Sequence, residues 1–194
     1  NNICTICGIS EIIETEGLQL ILSENGTYYD VAGYTGTSAE VKIPATYNNI
    51  PVQKIKDYAF SGCYNLKSVV IPDGVISIGM YSFFGCRNLT SISIPDSVVS
   101  IGWYAFACCS GLTDIIIPSS VVSIGWYAFN ECNSLTEVTI QDGITSIGWY
   151  AFSGCSNLKD IVIPDSVTAI GDYAFSYSGL TSIVIPDGVT SIGW

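Results

Sequence analysis

The stretch Ser100–Ile101–Gly102–Trp103–Tyr104–Ala105–Phe106 decides the fold of this chain, because near-copies of it recur at one fixed interval. Its isoleucine recurs at steps of 23 residues, with a final step of 22, at Ile55, Ile78, Ile101, Ile124, Ile147, Ile170 and Ile192. Apolar residues at fixed offsets with a period of this length predict a solenoid, in which each repeat packs only on its neighbours.

Each repeat contains the signals for two strands and one compact turn. Leu112 to Ile117 alternates apolar and polar residues and predicts a strand, which Pro118 ends because proline has no N–H to donate. Val121 to Ile124 predicts a second, shorter strand. Trp103 to Cys109 is too short for a long helix and predicts a helical or 3₁₀ turn.

The first forty residues precede the repeats. Residues 1 to about 17 fit no repeat register and carry only a weak strand signal. Residues 18–22 alternate, Asn25–Gly26 supplies the positive-φ pair of a tight turn, and alternation resumes at residues 29–31. We therefore predict a β-hairpin that caps the first repeat, since an uncapped repeat leaves an apolar face and a strand edge in water.

The composition argues against several classes of function. The net charge is −11 with only six Lys plus Arg, whereas nucleic acids and anionic membrane surfaces reward clustered positive charge. No apolar run approaches the roughly 18 residues that would span a membrane. The chain has no histidine, no nucleophile motif and no insertion that interrupts the repeat. The sequence thus predicts a chain that is no enzyme, with no catalytic residues, cofactor or metal.

The unit that contains Ile124–Gly125, Ala128–Phe129, Cys132 and Leu135 resembles the BspA-like, or Treponema-type, leucine-rich-repeat family of bacterial cell-surface proteins. The family unit runs approximately I-G-x-x-A-F-x-x-C-x-x-L-x-x-I-x-I-P-x-x-V-x-x, and residues 41–194 follow it. Gln141 stands in place of the proline in one copy. In another copy Ser82 stands in place of the alanine. The copy from Phe175 to Leu180 is one residue short and lacks the cysteine.

The resemblance implies a leucine-rich-repeat right-handed superhelix with a parallel concave β-sheet, short second strands and short helical or 3₁₀ turns. Residues 1–40 are then an N-terminal flanking segment with its hairpin cap, and residues 41–194 the repeat domain. It also implies a secreted or cell-surface protein that adheres to host or neighbouring-cell proteins. The family has no shared catalytic residues, and its members bind different partners, so the resemblance indicates a role and no particular partner.

The first candidate surface is the aromatic pair that follows each glycine. Because the Ala and Phe that come next face inward, at least one residue of each pair is expected to face water, and a ladder of exposed aromatic residues favours recognition of protein. The alternatives are recognition of carbohydrate rings, or aromatics that stack on one another and only seal the flank. The residues are Trp103, Tyr104, Trp126, Tyr127, Trp149 and Tyr150.

The second candidate surface is an acidic column on the predicted sheet. Asp114, Glu137 and Asp160 occupy the same outward position in three successive strands and could receive a basic segment of a partner protein. Plain solvation of the sheet is the alternative. A chain in which neither surface binds anything would be a spacer in a larger surface protein.

Eight cysteines occur in the chain, and five of them share one repeat offset. We predict that Cys63, Cys86, Cys109, Cys132 and Cys155 form a column of buried, reduced thiols rather than a metal site. Cys4 and Cys7 predict a terminal disulfide or two free thiols. Cys108, which is off register, is predicted to be the exposed thiol.

Two further expectations concern the strand ends and the end of the chain. An aspartate follows the residue that ends the strand in five units, at Asp73, Asp96, Asp142, Asp165 and Asp187, and predicts hydrogen bonds to local backbone, with a calcium ladder as the alternative. The sequence stops at Trp194 as another unit begins, which indicates a fragment or lost units and an open edge that invites end-to-end self-association.

Overall fold

The computed structural model describes residues 12–15 and 17–194, and it confirms the solenoid. Successive coils contribute second strands and turns at the same offsets as in the sequence, and the coils up to residue 140 also contribute a first strand. The strands are β1 (Ile12–Thr15), β2 (Leu18–Leu22), β3 (Tyr29–Tyr34), β4 (Glu40–Lys42), β5 (Thr46–Tyr47), β6 (Ile50–Ile55), β7 (Ser68–Val70), β8 (Ser77–Ile78), β9 (Ser91–Ser93), β10 (Ser100–Ile101), β11 (Asp114–Ile117), β12 (Ser123–Ile124), β13 (Glu137–Ile140), β14 (Ser146–Ile147), β15 (Ala169–Ile170) and β16 (Ser191–Ile192).

The predicted hairpin is present and joins the solenoid. Strands β2 and β3 pair antiparallel, and β3 pairs parallel with β6, so the hairpin extends the sheet of the first coil. Its loop is wider than the predicted two-residue turn. Gly26 has a positive φ but Asn25 does not. The Asn25 side chain instead accepts hydrogen bonds from the Thr27 N–H and hydroxyl and from the Ser23 hydroxyl, which holds the loop.

The second strands, not the longer first strands, form the continuous sheet. Strands β6, β8, β10, β12, β14, β15 and β16 pair in parallel and in register along the solenoid. The first strands form two separate parallel ladders, β4–β7–β9 and β11–β13, and an isolated bridge between Val162 and Val184. The predicted parallel sheet of first strands is therefore divided.

The prolines that end the first strands limit the length of these ladders. A proline cannot donate the N–H that would extend a ladder by one bond. Where Gln141 replaces the proline, its N–H donates to the Ile117 carbonyl at 3.0 Å, and the β11–β13 ladder reaches four residue pairs. This departure from the repeat pattern therefore lengthens the local ladder.

The predicted helical or 3₁₀ turn is absent, because the segment forms a series of tight turns instead. The N–H groups of Ala107 and Cys109 donate to the carbonyls of Tyr104 and Phe106, three residues back. The intervening N–H groups of Tyr104, Phe106 and Cys108 donate to the next coil at 2.8–2.9 Å. Tyr104 and Cys108 have φ values of 56° and 59°, which no α- or 3₁₀-helix allows. In the described part of the chain, no helix is long and apolar enough to cross a membrane.

The core consists of parallel columns of identical residues. The phenylalanines stack nearly parallel, with ring centroids 4.9–5.7 Å apart, at Phe60, Phe83, Phe106, Phe129, Phe152 and Phe175. The isoleucines that begin each repeat and the Ala, Cys and Leu columns are buried beside them in the central coils. Each coil therefore covers the apolar faces of both neighbours, as the repeat period predicts.

Ser82 places an unpaired hydroxyl in this core. It stands in the alanine column, it is 0% exposed, and its hydroxyl has no hydrogen-bond partner. A buried hydroxyl without a partner costs about 1–3 kcal/mol. We expect Ser82→Ala to raise the free energy of unfolding by about 1–2 kcal/mol in urea titrations.

A matched serine should respond in the opposite direction. The Ser97 hydroxyl donates to the Val75 carbonyl at 2.7 Å and accepts from the Gly74 N–H at 3.1 Å. Ser97→Ala should therefore lower the free energy of unfolding by about 1 kcal/mol. A loss of stability in Ser82→Ala of the same size would contradict the assignment of an unpaired hydroxyl.

Candidate functional site

The tryptophans after the repeat glycines form a stacked ladder with exposed edges. Their ring centroids lie 4.5 Å apart between Trp103 and Trp126 and 4.6 Å apart between Trp126 and Trp149, with rings within 7° of parallel. Their exposed fractions are 44%, 38% and 46% along the chain. The rings thus cover one another's faces and present their edges to solvent. The tryptophans are therefore both exposed to solvent and stacked on one another. We call these three residues the Trp ladder.

The tyrosine that follows each of these positions forms a second stack. Tyr58, Tyr81, Tyr104, Tyr127, Tyr150 and Tyr173 have centroid spacings of 4.4–5.0 Å. The rings in the middle of this stack are half-buried, whereas Tyr58 and Tyr173 at its ends are exposed. Burial and the neighbouring phenols raise the pKa of Tyr104 above its ordinary value.

The tyrosine stack has a backbone conformation that sequence reasoning missed. All six tyrosines have positive φ, between 54° and 62°. A bulky residue in this left-handed region is unusual, and it costs roughly 1–2 kcal/mol. The turn geometry requires this conformation, because the Tyr104 and Tyr127 N–H groups donate to the carbonyls of Trp126 and Trp149 in the next coil. No sequence signal pointed to this conformation, because tyrosine is not a residue that favours positive φ.

The acidic column of Asp114, Glu137 and Asp160 is exposed, and its first two members lie on β11 and β13. Asp114 and Glu137 are direct partners in the β11–β13 register. Asp160 occupies the equivalent position one coil further on, beyond the end of that ladder. Like charges placed directly opposite repel, so this column is poised to attract a positively charged group.

An exposed apolar row runs beside the acidic column. The outward position two residues further along each strand carries a β-branched apolar residue in four coils, at Val70, Ile116, Val162 and Val184. The strand surface therefore presents carboxylates and apolar side chains next to each other.

The repeat cysteines form the predicted column of free thiols. Cys86, Cys109, Cys132 and Cys155 are buried, and each thiol donates to a phenylalanine carbonyl of the preceding coil at 3.1–3.2 Å. Burial raises the pKa of Cys155 to about 12, and burial with the neighbouring Cys86 raises that of Cys63 to about 11. The Cys63 and Cys155 thiols therefore stay protonated at neutral pH, and the four buried cysteines serve as core groups and as hydrogen-bond donors.

The remaining cysteines and the strand-end aspartates differ in part from expectation. Cys108 is half-buried rather than fully exposed, as is Cys63, and Cys4 and Cys7 lie outside the described residues. The five strand-end aspartates are exposed and make no side-chain hydrogen bond within the described chain. A neighbouring serine provides that bond instead, as the Ser166 hydroxyl does to the Ile144 carbonyl at 2.8 Å. Among the described residues, no three or more His, Cys, Asp or Glu side chains are grouped to hold a metal ion.

Comparison with solved structures finds the same architecture in bacterial proteins. The leucine-rich-repeat protein TpLRR of T. pallidum is 29% identical and has a TM-score of 0.85, with 94% of this chain and 86% of that chain covered. A leucine-rich cell-surface protein of Faecalibacterium prausnitzii is 27% identical, with a TM-score of 0.56 and coverage of 94% and 72%. A leucine-rich-repeat protein of Bacteroides ovatus is 27% identical, with a TM-score of 0.62 and coverage of 93% and 61%.

Sequence comparison gives the family directly. Comparison with curated proteins finds no significant match. The model of the BspA type leucine-rich-repeat region, in contrast, matches six copies over residues 53–178, which is more than half of the chain. The protein therefore belongs to the family of BspA type leucine-rich-repeat proteins.

Proposed function

We propose that this chain is a non-enzymatic protein-binding module of a secreted or cell-surface protein, and that it adheres to proteins of a host or of neighbouring cells. The observation that carries the proposal is the Trp ladder, a rigid row of aromatic edges exposed to solvent. The similarity to a cell-surface protein of F. prausnitzii supports the location. The absence of histidine supports a non-enzymatic role.

The Trp ladder suits protein recognition because it is already ordered. Each ring is held by its stacked neighbour, so little side-chain freedom remains to be lost on binding. None of the three indole N–H groups donates to another described residue, which leaves a row of donors beside apolar ring edges. Tryptophan that combines apolar area with a free polar group is typical of the residues that dominate protein interfaces.

The stacking disfavours the alternative of carbohydrate binding. Sugar rings pack on the faces of aromatic rings, and here Trp126 has both faces covered by its neighbours. Only the outer faces of the two end rings, Trp103 and Trp149, lack a stacked tryptophan, whereas all three edges are open to a protein.

The test is a binding screen of the purified chain against immobilised extracellular-matrix proteins and a glycan array. We expect protein binding that falls at least tenfold when Trp103, Trp126 and Trp149 are all changed to Ala. The triple change to Phe keeps a stacked column but removes the indole N–H groups, and it should give an intermediate loss. Val99→Ala with Val122→Ala, which removes exposed apolar groups elsewhere, should leave binding unchanged.

Each other outcome has a defined meaning once circular dichroism shows that the variants are folded. Binding that survives in both triple variants would indicate that the strand surface, and not the Trp ladder, is the binding site. Glycan binding lost on Trp126→Ala would favour the carbohydrate alternative. A screen in which the folded chain binds nothing would contradict the proposal and leave the chain as a spacer.

A further inference from the structure

A depression of about 370 Å³ lies on the strand surface, away from the Trp ladder. Its outer lining is formed by outward side chains of three successive first strands: Val70 of β7, Ser91 and Ser93 of β9, and Asp114 and Ile116 of β11. The nearly buried Ile92 and Ile94 contribute to its floor. We call this depression the serine notch.

The serine notch exists because small residues stand between large ones in the apolar row. Val70 and Ile116 are 52% and 56% exposed, and Ser93 lies between them in the same column. The first-strand sheet is also interrupted at this place, because the ladder does not continue from β9 to β11. The Thr113 N–H lies 3.4 Å from the Thr90 carbonyl here, compared with 2.9 Å for the equivalent bond from Thr136 to Thr113. The notch is therefore a product of side-chain size and of strand separation together.

The chemistry of the lining is apolar on two sides and negative on the third. Val70 and Ile116 form the apolar walls, and the Asp114 carboxylate lies at the rim. One carboxylate oxygen of Asp114 accepts from the Thr113 hydroxyl at 2.8 Å, which orients the group and leaves the other oxygen available. The Ser91 and Ser93 hydroxyls bond to no other described residue. The lining thus offers hydrogen-bond acceptors beside apolar surface.

The electric field around the notch also favours a cation. Residues 88–194 contain nine Asp or Glu and one Lys or Arg, which is Lys159. Glu137 lies directly beside Asp114 in the ladder, and no Lys or Arg lines the notch. Arg87, which is close in sequence, is positioned over the Tyr64 ring instead. On the opposite side, Lys42 is the partner of Val70 in the β4–β7 register and Lys67 precedes β7, so a positively charged occupant is attracted toward the β11 side, by Asp114 and Glu137.

We propose that the serine notch binds an arginine side chain of a partner protein. The alkyl part of arginine packs between Val70 and Ile116, and the guanidinium donates to Asp114 and to the serine hydroxyls. Arginine fits this lining better than lysine, because its planar guanidinium carries five N–H donors and binds a carboxylate in a bidentate manner. The inference deepens the proposed function and rests on it, since it assumes that the natural occupant belongs to a protein.

The test uses nuclear magnetic resonance with a short peptide as the probe. An acetylated and amidated Gly-Ser-Arg-Ser-Gly peptide is titrated into the ¹⁵N-labelled chain, and the same peptide with citrulline in place of arginine is the control. Citrulline has nearly the same shape without the charge. We expect saturable shifts in the millimolar range that centre on residues 68–70, 91–94 and 114–116, and at least fivefold weaker binding of the citrulline peptide.

Variants separate the notch from general attraction to an acidic surface. Asp114→Asn should weaken binding of the arginine peptide at least fivefold, and Ser93→Val, which fills the notch with a residue suited to a strand, should abolish it. Asp160→Asn removes the same charge from the same column outside the notch and should change the affinity less than twofold. Equal losses in Asp114→Asn and Asp160→Asn, or equal binding of both peptides, would overturn the proposal.

The same variants separate this inference from the proposed function. A protein found in the binding screen could bind Ser93→Val and Asp114→Asn as tightly as the unchanged chain. In that case the serine notch is not the binding site for that protein, and the proposed function as a binding module stands. If the arginine peptide binds at the notch and the screen finds no protein, the notch stands as an arginine site and the module function fails.

Discussion

Replacing Phe106 by Ala is expected to lower the free energy of unfolding by about 3–5 kcal/mol. The ring is completely buried, and it stacks on Phe83 and Phe129 with centroids 5.1 and 5.3 Å away. Its loss leaves a cavity between coils that cannot collapse, because the neighbouring coils are held in register by the second-strand sheet. Since each coil is stabilised by its neighbours, the damage spreads to both of them.

Urea denaturation followed by circular dichroism measures this loss. Phe106→Leu, which keeps most of the apolar volume, should cost clearly less than the change to Ala. Val162→Ala, which truncates an exposed side chain, should change stability by less than about 0.5 kcal/mol. A loss below about 1 kcal/mol in Phe106→Ala would show that the phenylalanine column is loosely packed.

Replacing Gly125 by Ala is expected to lower the free energy of unfolding by about 3 kcal/mol. A Cβ at this position would lie 2.7 Å from the carbonyl oxygens of Ile101 and Gly102 in the preceding coil. The obstacle is backbone, so no side chain can rotate away, and the two coils must separate. The repeat glycine is therefore required by the close approach of coils.

A second glycine provides the control for this prediction. Gly85 has a φ of 71°, and a Cβ there would meet nothing within 4 Å. Gly85→Ala should cost only about 1 kcal/mol, which is the strain of the left-handed conformation. Cys108 and Glu131 occupy the equivalent position with φ of 59°, which shows that the fold tolerates a side chain there. Equal losses in the two variants, measured by urea denaturation, would refute the steric explanation at Gly125.

Much of the fold was predictable because every repeat carries the same pattern of apolar positions. Ile101, Phe106, Cys109 and Leu112 recur at fixed offsets, and the structure buries each of them in its predicted column. The hairpin was predictable from strand alternation that ends and resumes around Asn25–Gly26. These features depend on which positions are apolar, and that information is local and is repeated in every coil.

The candidate surfaces were predictable only in part. The sequence places Asp114 and at least one residue of the Trp126–Tyr127 pair outward, and in the structure Asp114 and Trp126 are exposed. Whether neighbouring tryptophans cover each other's faces depends on a spacing of 4.5–4.6 Å between coils, which no single repeat contains. The positive φ of Tyr104 depends likewise on the hydrogen bond that its N–H makes to the next coil.

The repeat, the inward columns and the outward positions follow from the period and polarity of each unit. How the coils meet does not follow from one unit: contacts between coils determine which strands join one continuous sheet, and they replace the expected helical turn with tight turns. The same contacts leave the Ser82 hydroxyl without a hydrogen-bond partner, and they leave a notch over β9, between Val70 and Ile116. The physical reason is that these outcomes depend on distances between residues about 23 positions apart, which packing and hydrogen bonds between coils set.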